Sequence, residues 1–224
     1  MSNKLTFDMF LHPHVLKELQ KRKQLNVIRI YTDEVKPEKK SRFGYEGDTW
    51  YILESGRFYD NNENIFIFQD NTAKKKSGNI GIDIIAPCLY EDAMGEKVPA
   101  SRIPKWAART WVEIKSVSHP KKVQDITEGD ILTLGFERKA DEGMPCYGIG
   151  DFSYATNNGL KYIFQQWWDE FMGGWRVIKK QGVPNEYVAY PYKDATNLRE
   201  IAFEPLPRKA LPNPYVMIYT VKVI

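Results

Sequence analysis

Leu160, Ile163, Phe164, Trp167, Trp168 and Phe171 recur at i, i+3, i+4, i+7, i+8 and i+11, the spacing of a single buried helical stripe. The spacing predicts a helix over about 159 to 172, stopped by Gly173-Gly174, and no other predicted helix is as long. A shorter amphipathic helix is expected over about 13 to 23, where Pro13 suits the first turn and Val15, Leu16 and Leu19 share a face. Thr127, three residues ahead of Asp130, reads as a third helix start, with Gly135 as its left-handed end. Branched and aromatic runs predict strands at 26–31, 49–53, 64–69, 80–86, 110–118 and 215–224. Because strands outnumber helices and do not alternate with them regularly, a doubly wound parallel sheet is not expected. The expected fold class is α+β, a small mixed β-barrel with flanking helices. Its 224 residues fit one domain, 1–224, interrupted by turn-rich insertions at about 139–158 and 173–212.

The absences narrow the chemistry. Two cysteines, Cys88 and Cys146, cannot make a disulfide framework or a four-thiolate zinc site and are expected as free thiols. His12 and His14 flank Pro13 and only His119 remains, so neither a metal site nor a cofactor is expected. No phosphate-binding glycine loop, HExxH or GxSxG is present. No apolar run is long enough to span a membrane, and Met1-Ser2-Asn3-Lys4-Leu5-Thr6 lacks the apolar core of a signal peptide; a cytoplasmic protein without membrane association is expected. Lys74-Lys75-Lys76 reads as an exposed loop.

The net charge of +3 does not itself imply a nucleic-acid partner; the distribution of charge says more. Lys17, Lys21, Arg22, Lys23 and Arg29 face one acid, Glu18, and the stretch from Arg102 to Lys122 sets six basic residues against Glu113. Brought together, the two stretches would make an anion-binding face; apart, each is an ordinary solvated surface. Trp106 lies between Lys105 and Arg109, an interleaving that offers phosphate neutralisation with a stacking plane. Lys23, Asn26 and Arg29 sit at a helix-to-strand junction where they could converge on an oxygen-rich ligand. Glu54 ends an apolar strand and could point into a cleft, where pairing with Lys23 would suit either structure or acid–base work.

Several segments, in order, resemble phage-encoded ASCH-like proteins of the PUA-like superfamily. Ser101 to Arg109 is similar to that family's "MPRWASR" segment, Thr110 to Val117 to its next strand and Val123 to Glu128 to its "LQDISEED" helix start. Phe164 to Trp168 resembles "F..LW", Asn213 to Val216 "NPWVWV", Lys21-Arg22-Lys23 "GRKT", and Gly47 to Glu54 "GDRLWVRE". The resemblance implies a small β-barrel with a cleft beside the first helix. The superfamily includes RNA binders, readers of modified DNA bases and amidohydrolases acting on acylated cytidine, so a nucleic acid or modified nucleobase is the implied ligand. There are departures. The amidohydrolases' Lys-x-x-Thr is Lys23-Gln24-Leu25-Asn26 here, an amide that cannot attack in place of a hydroxyl. Their acidic partner has no counterpart in Ile131-Leu132-Thr133-Leu134, and the Arg of "WVRE" is Leu53.

The leading expectation is a non-catalytic nucleic-acid-binding module. Lys21, Arg22, Lys23, Arg29, Arg102, Lys105 and Arg109 would meet phosphates, Asn26 would join the same ligand, and Trp106 or Tyr51 would stack on a base. The alternatives are hydrolysis of a modified pyrimidine nucleoside by Lys23 and Glu54, and binding of a host protein through 173–212. The oligomeric state stays open.

Overall fold

The computed structural model describes residues 6–31, 43–54, 56–59, 62–68, 73–75, 97–98, 105–139, 144–178, 184–196, 198–200 and 206–224. Along the chain these form β1 (Thr6–Phe10), α1 (Pro13–Arg22), β2 (Gln24–Ile30), β3 (Thr49–Leu53), β4 (Gly56–Tyr59), β5 (Asn62–Phe68), β6 (Ala73–Lys75) and β7 (Lys97–Val98). There follow a 3-10 turn at Lys105–Ala107, β8 (Trp111–Val117), β9 (Lys121–Lys122), α2 (Glu128–Thr133), β10 (Glu137–Lys139), β11 (Cys146–Ile149), β12 (Phe152–Ala155) and α3 (Leu160–Trp167). A π-helical turn at Trp168–Met172 continues α3, and β13 (Arg176–Ile178), β14 (Glu186–Ala189), β15 (Arg208–Ala210) and β16 (Tyr215–Val223) complete the order. The chain is α+β, with a curled, mainly antiparallel sheet and few helices. The strand expected at 80–86 lies outside the described residues.

The chain divides into two compact units. Unit 1 draws on residues 1–11, 43–114 and 222–224, and unit 2 on 12–42 and 115–221. Both are assembled from separated stretches, and β8 and β16 each run from one unit into the other.

In unit 1, β1 runs parallel to β3 and β3 pairs antiparallel with β8. Alternation places Trp50 and Ile52 of β3 with Val112 and Ile114 of β8, all inaccessible to solvent, on one face. The opposite face carries Leu53, which joins Phe66, Phe68 and Ala107 in a second small core, with Tyr51 and Trp106 partly buried against it. Strands β4, β5, β6 and β7 make a separate sheet in the order β6-β5-β4-β7. Lys74 and Lys75, expected in a loop, therefore belong to a strand: β6 pairs antiparallel with β5, the strand just before it, and a run of lysines carries no apolar alternation to show this.

In unit 2, β8, β16 and β2 lie side by side and β9 pairs with β16. The predicted stripe is real: Leu160, Ile163, Phe164, Trp167 and Trp168 are all buried. Thr127 and Asp130 form a reciprocal capping box at the start of α2. Both turn-rich stretches contain strands: β11 and β12, paired with β10 that ends at Lys139, lie in the first, and β13, β14 and β15 lie in the second. The second stretch is built into the core of unit 2, because Val188, Ala189, Tyr190, Tyr192 and Leu198 are buried. It is fastened by polar bonds as well: the Trp168 indole N–H donates to the Tyr190 carbonyl at 2.8 Å, and the Tyr192 N–H to the buried Asp169 carboxylate at 2.7 Å.

Candidate functional site

The site in unit 1 begins with a register. Tyr51 and Trp111 are directly opposed on the antiparallel strands β3 and β8, so their side chains emerge side by side on the face turned away from Trp50 and Val112. Their rings lie 5.6 Å apart, tilted by 38°, and both side chains are half-buried. The Trp111 indole N–H donates to the Ala108 carbonyl at 3.2 Å, which holds the ring against the chain leaving the 3-10 turn. That turn sends Lys105 back over the indole, with Nζ 5.4 Å from the ring centroid, while the lysine itself stays exposed. One cation and two π systems thus share one face.

Arg109 and Glu54, both candidates, are engaged with each other. Arg109 donates through Nε to Glu54 Oε1 and Oε2 at 3.1 and 3.0 Å, and through a terminal guanidinium nitrogen to Oε2 at 2.7 Å. The Thr110 hydroxyl donates to Oε1 at 3.4 Å, and the guanidinium also sits 4.2 Å from the centre of the Phe68 ring. The pair is largely withdrawn from water, with side-chain exposures of 17% and 10%. A fork-like pair of this kind clamps the end of β3 to the segment entering β8, so it holds the Lys105–Trp111 stretch in place. Trp106 leans on the small core of Leu53, Phe66, Phe68 and Ala107 and is half-buried. Arg102 lies outside the described residues.

The remaining candidates lie in unit 2. Lys21 and Arg22 end α1 but face acids: Arg22 bonds Glu18 and Glu137, each at 2.8 Å, and Lys21 lies 3.9 and 3.8 Å from the same two carboxylates. Glu18 is buried, so these cations compensate a desolvated charge. Lys23 caps the helix in a left-handed conformation, φ 64°, and is exposed. Arg29 turns its Nε inward; burial lowers its pKa to about 10, so it stays charged at neutral pH while facing away from solvent phosphate. Asn26 is held on both sides, donating to the Thr133 hydroxyl at 2.9 Å and accepting from the Thr220 hydroxyl at 2.8 Å. The Ser116 hydroxyl donates to Thr220 at 2.9 Å, so a polar ladder runs across β8, β16 and β2 to α2.

A second aromatic cluster closes the start of α1. His12 and His14 have ring centroids 4.8 Å apart, and both pack on Phe171 of the π-helical turn, at 4.3 and 5.4 Å. Burial, reinforced by the neighbouring His14, lowers the His12 pKa to about 4; burial also lowers that of His14. Among the described residues no group of three or more His, Cys, Asp or Glu side chains could hold a metal ion, Cys146 is a buried free thiol, and no helix is long and apolar enough to cross a membrane.

Trp111 and Thr133 are the site residues that sequence reasoning missed. Trp111 was within reach, since it falls in the strand predicted at 110–118 with Val112 as its inward neighbour, and alternation alone places the indole outward. Comparison with family models, with curated proteins and with solved structures finds no match to this chain.

Proposed function

We propose that this chain is a PUA-like module that binds nucleic acid without catalysing a reaction. The observation that carries this reading is the exposed Lys105 ammonium lying over Trp111, with Tyr51 beside it on the same face. Nucleic acid offers the two complementary features, a charged backbone and flat π-rich bases. The hydrolase alternative finds less support. The position of the family's nucleophile holds Asn26, whose amide nitrogen and oxygen are both engaged by threonines, and Glu54 is bound by Arg109. The segment 173–212, which would serve the host-protein alternative as an arm, has its central residues buried in unit 2.

Fluorescence anisotropy with fluorescein-labelled RNA and DNA oligonucleotides tests the proposal. Binding with a Kd below about 100 µM at 50 mM salt, weakening as salt rises, supports it. No binding to either polymer at that salt overturns it.

A further inference from the structure

We infer that Tyr51 and Trp111 form a stacking platform for one unpaired base of a single-stranded nucleic acid, and that Lys105 covers the indole until the base displaces it. The inference rests on the nucleic-acid reading above and adds the class of strand and the mode of capture.

The argument starts from the cover. A lysine over a half-buried indole is held by a cation–π attraction that weakens where water reaches the ammonium, and Lys105 is exposed. A base offers the indole a much larger π surface, so stacking displaces the ammonium. The displaced cation stays tethered beside the base through its own flexible stem, where it meets the adjoining phosphate. Cover and phosphate contact are therefore two positions of one side chain.

The strand class follows from geometry. Bases in a duplex have both faces occupied by their neighbours, and a sheet face cannot enter the stack. Only an unstacked base presents a free face to Trp111 and Tyr51. Charge then sets where the backbone runs. Lys105 is the exposed cation over the platform, so a phosphate is favoured beside it and the ring faces are left to the base.

The test uses the full chain, a fluorescein-labelled mixed-sequence RNA decamer, its DNA equivalent and the blunt duplex made from each. Either single strand should bind at least about tenfold more tightly than its duplex, and the RNA and DNA arms show whether the 2′-hydroxyl contributes. Trp111→Ala should lose about 5- to 100-fold in affinity for the single strand. Lys105→Ala changes only an exposed side chain, so it serves as the variant that keeps its fold; it should make the salt dependence for the single strand shallower by about 0.7 of a unit of log–log slope. Tighter binding of duplex, or a Trp111→Ala variant with native thermal unfolding and unchanged single-strand affinity, would overturn the inference while leaving the nucleic-acid reading intact. Failure of the unaltered chain to bind any of the four probes overturns that reading itself.

Discussion

Arg109 shows how a residue of the expected type can serve a different role from the expected one. Placed in the sequence beside Trp106 it reads as a phosphate contact, yet its guanidinium is forked onto Glu54 and lies on Phe68. Removing one partner of a pair this withdrawn from water strands the other charge. Arg109→Ala is expected to cost about 3 kcal/mol, and Arg109→Lys about 1–2 kcal/mol because one charged contact survives without the fork, both read from urea unfolding. Gly173 is a second position where one atom decides. A Cβ there would stand 2.5 Å from the Tyr190 carbonyl oxygen and 2.7 Å from Trp168 Nε1, the two ends of the bond that fastens 173–212 to the core. Gly173→Ala should therefore destabilise by about 2–4 kcal/mol in the same measurement, and an unchanged midpoint would show that the bond yields easily. Pair identities of this kind were not legible in the sequence. Glu54 and Arg109 are 55 residues apart, and nothing local says which cation a strand-ending acid will meet. The buried Trp167 and Trp168 were legible, because helical spacing assigns them to the core without reference to any partner.

Helix α1 is the element whose chemistry responds most directly to pH. His12 is its N-cap, accepting from the His14 N–H through Nδ1, and its ring is packed on Phe171. With a folded pKa of about 4 against 6.5 unfolded, His12 binds fewer protons in the native state across that interval. Its contribution is complete above pH 6.5 and is lost as the pH falls from there through 4. After discount for partial exposure this amounts to about 1–2 kcal/mol. His12→Asn keeps a capping acceptor and removes the titration, so its stability should decline less over this interval than that of the unaltered chain; parallel curves would assign the acid sensitivity elsewhere. Helix α2 gives a simpler expectation: Thr127→Ala removes the hydroxyl that accepts from the Asp130 N–H, leaves the backbone half of the capping box in place, and should lower stability by about 1 kcal/mol. The three helices were legible from local signals, namely Pro13, the Thr127–Asp130 spacing and the aromatic stripe. Strand β1 was not, because it is fixed by parallel pairing with β3 some 40 residues on, a contact without a local signature. The sheets within 139–158 and 173–212 were missed for a related reason: their prolines and turns are conspicuous, and the short strands between them are not.

For the whole molecule, the question is how much of its positive charge is available to a polyanion. The sequence pI of about 8.6 and net charge of +3 suggest an ordinary basic protein, but the ion pairs divide the cations unequally. Lys17 is paired with Asp151, Lys21 and Arg22 with Glu18 and Glu137, Lys121 with Asp130, and Arg109 with Glu54. Arg29 faces inward. Among the described candidates, Lys23 and Lys105 are the exposed cations that no ion pair holds. Counterion release scales with the number of phosphates neutralised, at about −0.7 in log–log slope per phosphate for a single strand. Lys105, the exposed cation beside the platform, predicts a slope of about −0.7, far shallower than the charge runs at 17–29 and 102–122 suggest when every lysine and arginine is counted. Stacking on Tyr51 and Trp111 would then supply most of the affinity at physiological salt, since base–aromatic contacts release few counterions. Anisotropy titrations of the RNA decamer between 50 and 200 mM salt read the slope directly. A value of about −5 or steeper would mean that the pairs on α1 open to meet the backbone, and it would return the first basic stretch to the binding surface.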